Sequence, residues 1–191
     1  MLDPEIREKL FFRLETTSSK IRIFEEVIIG ESRCDAFAVT DKLTGFEIKS
    51  DADSYARLKS QIKSYDRFFN ENYLVVGEKH RKSASAHIPD HWGLICVGED
   101  VEVIRSASAS PKVSIKNQLR LLWKRELRRV LSRYSVHKYE RCSRQYLTKR
   151  LMDFVDEERL LSEICAELFE RDYVTEGFFD PVLFDKQNPK K

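Results

Sequence analysis

The chain has 191 residues, of which 41% are hydrophobic and 35% are charged, and its formal net charge is +2. This length fits one domain, or one domain with an appendage, and is enough to bury a sizeable core. There is no apolar run of membrane-span length and no signal-peptide pattern, and the four cysteines are dispersed without a C-x-x-C pair. These features exclude a membrane-spanning or disulfide-rich secreted protein, and they predict a cytoplasmic protein with reduced thiols.

The first predicted element is an amphipathic helix over residues 4–15. Asp3 is suited to cap this helix, and Pro4 is favoured at its first position. A β-rich stretch follows, and residues 23–29 predict a strand that ends before a turn at Gly30.

Two adjacent acidic residues, Glu25 and Glu26, lie within this predicted strand. Successive side chains of a strand point to opposite faces, so only one of the two is expected to approach a site on either face. The sequence also allows both to be solvated surface charges.

Residues 35–49 predict a β-hairpin. Two runs of β-forming residues, 36–39 and 46–49, flank the turn-rich sequence Asp-Lys-Leu-Thr-Gly of residues 41–45. If the loop is centred on Asp41, the strands pair so that Asp35 faces Glu47.

Side chains that face each other across two strands have Cβ atoms roughly 4.5–5.5 Å apart. Two carboxylates at that spacing repel each other unless a cation or a proton lies between them, and a divalent metal that prefers hard oxygen ligands, such as Mg²⁺, meets this need. Lys49 is two residues after Glu47 and therefore points to the same face, whereas Phe46 and Ile48 point into the core. An ammonium group at this place could orient a water molecule or stabilise the charge that develops on a phosphate.

Residues 53–70 predict a central helix whose N-terminal end lies close to Lys49. The partial positive charge of that end favours a phosphate. Arg57, Gln61 and Tyr65 form one i, i+4 row along this helix. Two interpretations remain open: Gln61 and Tyr65 reach a substrate phosphate or a metal-bound water, or Tyr65 is a core residue and Gln61 a surface residue.

A short strand over residues 73–76 precedes a second predicted hairpin, formed by residues 92–97 and 101–104. The polar loop between them, residues 77–90, contains His80 directly after the first strand. Because of this position, His80 is the histidine that we expect to contact a substrate.

Residues 115–134 predict one helix with an apolar stripe and an opposite basic face. Such a face is solvated, is paired with acidic neighbours such as those of residues 153–185, or contacts a phosphate backbone. Two further helices are predicted over about residues 140–155 and 156–171. The candidate nucleic-acid contacts are Arg57, His80, Lys116, Arg120, Lys124 and Arg128.

The acidic and basic residues of the first hairpin follow the pattern D…(D/E)-x-K, with Asp35 and then Glu47-Ile48-Lys49. This pattern resembles the core of the PD-(D/E)xK nuclease superfamily, although Cys34 stands at the place of the proline. The segment E-I-K-S-D-x-D-x-x-x-R-L-x-x-Q-x-x-x-Y, residues 47–65, resembles a small bacterial and phage family near the MmcB-like DNA-repair proteins. Its end is similar to the Q-x-x-x-Y element of RecB-like nucleases.

The resemblance implies a restriction-endonuclease-like fold of the α/β class, with three layers and a mixed central sheet flanked by helices. This core would take up residues 1–134. Residues 135–191 would form a helical C-terminal extension packed on or near it.

The resemblance also implies roles for the site residues. Asp35 and Glu47 would hold Mg²⁺ or Mn²⁺, with the Ile48 carbonyl as a further ligand. Glu26 is favoured over Glu25 as the residue that binds a second ion or a metal-bound water. Lys49 would position the attacking water, with Gln61 and Tyr65 as further catalytic candidates.

The expected function is metal-dependent hydrolysis of DNA, rather than RNA, in repair, defence or mobile-element biology, with no membrane partner. A homodimer is left open by analogy with superfamily members. One alternative is a nucleic-acid-binding accessory protein that does not cleave. The others are a protein-interaction module acting through the C-terminal helices and a phosphodiesterase acting on a small molecule.

Overall fold

The computed structural model describes residues 1–135, 139 and 141–171, so parts of the predicted C-terminal extension lie outside the described residues. The strands are β1 (Arg22–Ile29), β2 (Ser32–Val39), β3 (Leu43–Lys49), β4 (Glu71–Gly77), β5 (Gly93–Val97) and β6 (Val101–Arg105). The helices are α1 (Asp3–Thr17), α2 (Leu58–Phe68), α3 (Ile115–Gln118), α4 (Lys124–Tyr134), α5 (Arg144–Phe154) and α6 (Glu157–Phe169).

The six strands form one mixed sheet in the order β1-β2-β3-β4-β5-β6. β1, β2 and β3 are antiparallel neighbours. The chain then returns through α2, which makes β4 parallel to β3, and β5 is parallel to β4. β6 is the edge strand at the end of the sheet and is antiparallel to β5. The predicted α/β class with a mixed central sheet is therefore confirmed.

Helices cover both faces of the sheet. On one face, α1 packs Ile6 and Leu10 against Phe46 and Ile48 of β3. On the other face, α2 and the later helices share a larger apolar cluster that includes the fully buried Tyr65. β3 thus buries Phe46 and Ile48 under α1, as predicted, and turns its alternate residues toward α2.

Both predicted hairpins are present. β2 and β3 pair with Val39 opposite Leu43 and Ala36 opposite Phe46, which centres the turn on Asp41 as predicted. β5 and β6 are likewise joined by a short turn after Val97. In both cases runs of β-forming residues on either side of a turn sequence were enough to identify the hairpin.

The alternation of side chains along β1 is interrupted at Glu26, which has a φ of 57°. Phe24 and Val27 pack on the same apolar cluster although they are three residues apart. Because the backbone turns into the left-handed region at this residue, the prediction that Glu25 and Glu26 point to opposite faces is wrong: both carboxylates contact Arg7.

The predicted helix bounds need two corrections. α2 begins at Leu58 rather than at residue 53, so residues 50–57 connect Lys49 to the helix without being part of it. The single helix predicted over residues 115–134 is also wrong. Leu122 and Trp123 are extended, and the Glu126 carboxylate accepts a hydrogen bond from the Trp123 N–H at 2.6 Å, so a new helix starts there. The predicted basic face is therefore split between two helices.

Helices α5 and α6 pack through the same apolar cluster as α2. After α6, Arg171 returns to the first residues of α4, where its guanidinium donates two hydrogen bonds to the Glu126 carboxylate, at 2.8 and 2.6 Å. The guanidinium also lies 4.1 Å from the centre of the Trp123 ring. Within the described part of the chain, no helix is both long and apolar enough to cross a membrane.

We expect Arg171→Ala to destabilise the protein by roughly 3–5 kcal/mol, because it leaves the fully buried Glu126 carboxylate without its cation. Urea unfolding at neutral pH measures this change. Arg159→Ala is the matched control, since it removes an arginine from an exposed ion pair with Asp156 and should cost less than about 1 kcal/mol. Equal stability of the two variants would contradict the structural role of Arg171.

Candidate functional site

The hydrogen-bonded pairing of β2 with β3 stops at Ala36 and Phe46. The next position in the same register holds Asp35 and Glu47. Here the Asp35 carboxylate accepts a hydrogen bond from the Ile48 N–H at 2.8 Å. A side chain thus takes over from the backbone in joining the two strands, and it brings the Asp35 carboxylate beside Glu47.

Tyr65 of α2 completes this connection. Its hydroxyl accepts a hydrogen bond from the Asp35 N–H at 3.0 Å and donates one to the Phe46 carbonyl at 3.1 Å. The side chain is fully buried, and burial together with the nearby carboxylates holds the pKa of Tyr65 well above its usual range. Tyr65 is thus a core residue, as one of its two interpretations expected, and its hydroxyl holds the backbone of Asp35.

Glu47 and Lys49 form a buried ion pair, with the Lys49 ammonium 2.5 Å from Glu47 Oε1. Glu47 is 0% exposed and Lys49 is 6% exposed. The second oxygen, Glu47 Oε2, is buried and has no hydrogen-bond partner among the described residues. Gln61 Oε1 lies 3.4 Å from the Lys49 ammonium, so α2 does bring Gln61 to this site.

Asp35 titrates close to neutral pH. Its burial is the main cause that raises the pKa, and the Glu47 carboxylate raises it further, to about 7. The N–H of Ile48 and the cations of Lys49 and Arg7 act in the opposite direction. Burial and the repulsion between the two carboxylates therefore outweigh the compensation from the neighbouring cations.

Arg7 was not identified from the sequence. Its guanidinium contacts Glu25 at 3.1 Å, Glu26 at 2.9 Å and the Asp35 carbonyl at 3.0 Å, and it lies 3.8 Å from the Asp35 carboxylate. α1 and the first hairpin are far apart in the chain, so only the packing of the helix on the sheet reveals this cluster.

Glu26 lies opposite Asp35 in the register of β1 and β2. Its carboxylate accepts from Arg7 at 2.9 Å and is 2.7 Å from the Arg33 guanidinium. Among the described residues, no group of three or more His, Cys, Asp or Glu side chains lies close enough together to hold a metal ion. The site therefore consists of two neighbouring carboxylates, and Glu26 is held beside them by arginines.

The six candidate nucleic-acid contacts do not form one surface. Arg57 is exposed directly before α2. His80 follows β4 and packs edge-on against Tyr55, with ring centres 5.1 Å apart, and its buried Nε2 has no hydrogen-bond partner among the described residues. Arg57 belongs to the segment that follows β3, which ends at Lys49, and His80 belongs to the segment that follows β4.

The other four candidates follow the last strand, β6, along the chain. Lys116 and Arg120 line a cleft with two residues of α5 that the sequence did not single out, Arg144 and Lys149. Lys124 and Arg128 belong to α4 and do not line this cleft. The sequence could not distinguish these two pairs of residues, because the apolar and basic stripes continue in phase through the break before α4.

The fold and the site define an α/β protein with a mixed six-stranded sheet and an Asp-Glu-Lys cluster, in which Glu47 and Lys49 are buried and Asp35 is partly buried. Residues 3–176 match the family model described as bacteriophage P4 protein cII, and the chain belongs to that family. No curated protein and no solved structure matches the chain.

We expect Asp35→Asn to stabilise the metal-free protein at about pH 8, by roughly 1–3 kcal/mol, and to have little effect near pH 4. The unfolded carboxyl loses its proton near the ordinary value of 3.8, whereas the folded one keeps it up to about 7. The stability that Asp35 contributes is therefore present below pH 4 and is lost as the pH rises through about 7.

Urea unfolding in the presence of a chelator, repeated across this pH range, tests the expectation. The amide of the introduced asparagine can still accept the hydrogen bond from Ile48, so the change removes charge and little else. Asp100→Asn, in the exposed turn between β5 and β6, is the control and should show no such trend. A stabilisation that does not depend on pH would show that Asp35 is already ionised in the folded protein.

Proposed function

We propose that the chain is a metal-dependent nuclease that hydrolyses phosphodiester bonds of DNA, with the restriction-endonuclease-like version of the α/β fold. One observation carries the proposal: Asp35 and Glu47 lie side by side at the end of the β2–β3 pairing, with the Lys49 ammonium 2.5 Å from Glu47. A buried carboxylate–lysine pair beside a second, partly buried carboxylate is costly for stability, so a function that uses the charges is the economical explanation.

The residues present suit a hard cation. The Glu47 Oε2 atom is buried and unpartnered among the described residues, and the pKa of Asp35 is raised first by its burial and then by the Glu47 carboxylate. Asp35 and Glu47 would hold Mg²⁺ or Mn²⁺, and the resemblance adds the Ile48 carbonyl and assigns Glu26 to a second ion or a metal-bound water. A bound metal would supply a water of lowered pKa and stabilise charge on the phosphate.

Lys49 is placed to orient the attacking water and to stabilise negative charge as the phosphate is attacked. Gln61 contacts the ammonium and can fix its direction. By the superfamily pattern, the product would carry a 5′-phosphate. Arg57 and His80 lie in the segments that follow the strands of the site and would contact the phosphates that flank the cleaved bond.

The family is described by a bacteriophage protein, which supports a mobile-element setting for this activity over a repair setting. A membrane partner forms no part of the proposal. A homodimer remains open by analogy with the superfamily.

The second candidate function is a nucleic-acid-binding accessory protein that does not cleave. A specific observation favours it: Arg7 and Arg33 hold Glu26, so the described residues offer two carboxylates to a metal rather than three. In such a protein the ion pairs would fix the hairpin, and binding would depend on the basic surfaces alone.

Cleavage of labelled single-stranded, double-stranded and branched DNA with Mg²⁺ or Mn²⁺ tests the proposal. We expect Asp35→Ala and Lys49→Ala to lower the rate by about 10²-fold or more, because the first removes a proposed metal ligand and the second removes the cation that would stabilise charge on the phosphate. Glu47→Gln keeps the shape of the side chain and should be as inactive.

Lys59→Ala is the matched control, since Lys59 is an exposed lysine of α2. It should cleave as the unchanged protein does. Circular dichroism must show that each variant is folded, because Lys49 is the buried partner of Glu47. Equal cleavage by all variants would place the activity elsewhere, and DNA binding without cleavage on any substrate would favour the accessory protein.

A further inference from the structure

Two arginines of the basic sequence block are neutralised within the protein. Arg129 of α4 pairs with Glu167 of α6, with Nε 2.9 Å from the carboxylate. Arg133, one turn later in α4, contacts the same Glu167 at 2.6 Å and also pairs with Glu163. These contacts join the two helices, so these arginines of the predicted basic face have an internal role.

Four further cations of this block lie together in one cleft. A cleft of about 800 Å³ lies between the segment of α3 and α5, and we call it the basic cleft. Its cationic residues are Lys116 and Arg120 on one side and Arg144 and Lys149 on the other. None of the four forms an ion pair with any described residue, and Asp153 is the carboxylate of the lining.

Arg144 joins the two sides of the basic cleft. Its guanidinium donates to the Arg120 carbonyl at 2.6 Å, and this fixes α5 against the segment after α3. Burial, and then the neighbouring Arg120, lower the pKa of Arg144. Cations that are packed together without a carboxylate partner create a positive potential that an anion would relieve.

We propose that the basic cleft binds the phosphate backbone of a nucleic acid as a second site, separate from the Asp35–Glu47–Lys49 cluster. The choice of partner rests on the proposed function, whereas the cleft itself does not depend on cleavage. Guanidinium and ammonium groups with adjacent amide and hydroxyl donors, here Gln145 and Thr148, are typical of contacts to backbone phosphates.

The two sites lie at opposite ends of α2. Gln61 contacts Lys49 near the start of the helix, and the Arg120 guanidinium lies 5.7 Å from the ring centre of Phe68 at its end. The helical rise from Gln61 to Phe68 is about 10 Å. Each strand of a duplex carries one phosphate per about 3.4 Å of the helix axis, so a duplex that contacts both sites must span at least about three base pairs.

The test is fluorescence anisotropy of a labelled DNA duplex of about 20 base pairs, without divalent metal, at salt concentrations between about 50 and 200 mM. Lys116→Gln/Lys149→Gln changes two lysines of the basic cleft and keeps Arg144, which has a structural role. We expect the slope of log K against log salt to become shallower by about 0.9 for each residue, and the affinity near 0.1 M salt to fall roughly tenfold for each.

Arg13→Gln is the control for charge, because Arg13 is exposed on α1, which packs on the other face of the sheet. Its salt dependence should match that of the unchanged protein. A double variant that also binds with the unchanged slope would overturn the proposal. So would displacement of the DNA by poly-glutamate of similar charge as effectively as by unlabelled DNA, since the basic cleft would then recognise an acidic protein as readily as phosphates.

The outcome can be separated from that of the nuclease proposal. Loss of binding in the double variant, in a protein that cleaves no DNA under any metal condition, would support the basic cleft and contradict the nuclease. Metal-dependent cleavage combined with unchanged binding by the double variant would support the nuclease and contradict the basic cleft.

Discussion

The candidate site depends on one arrangement, in which the Tyr65 hydroxyl lies between two neighbouring strands. By accepting from the Asp35 N–H and donating to the Phe46 carbonyl, it replaces a direct backbone contact where the β2–β3 pairing ends. The Asp35 carboxylate then accepts a hydrogen bond from the Ile48 N–H, and this bond holds the carboxylate beside Glu47. Tyr65 belongs to α2 and is packed in the apolar core between this helix and the sheet. The position of the carboxylates is therefore set by helix–sheet packing rather than by a flexible loop.

Holding these carboxylates together requires positive charge from several directions. Lys49 comes from the same strand as Glu47, whereas Arg7 comes from α1 and reaches the Asp35 side of the cluster. Even so, the pKa of Asp35 stays raised to about 7, so the cations do not fully compensate. A site of this kind favours a further cation or a proton, and the choice between them changes near neutral pH. A metal bound here, as proposed, would therefore compete with the same proton that affects the stability of the protein.

The sequence predicted the features that depend on local periodicity. The register of the first hairpin follows from a turn centred on Asp41, and the shared face of Glu47 and Lys49 follows from the two-residue repeat of a strand. It did not predict the left-handed backbone at Glu26, because a glutamate gives no sign of that conformation. The break at Leu122 and Trp123 was missed because the apolar stripe continues through it in phase. Arg7 could not be found either, since its partners are brought to it by tertiary packing.

The role of the charge asymmetry also depends on tertiary packing and could not be predicted from the sequence. A basic block followed by an acidic one allowed either internal pairing or a polyanion-binding face. In the structure, some of the cations are paired internally and others line the basic cleft. Arg129 and Arg133 neutralise carboxylates of α6, which stabilises the packing of the C-terminal helices. The cations of the basic cleft come from elements on either side of the paired helix α4, and so they remain unpaired among the described residues. A break in one helix thus separates charges that stabilise the fold from charges that are available to a ligand.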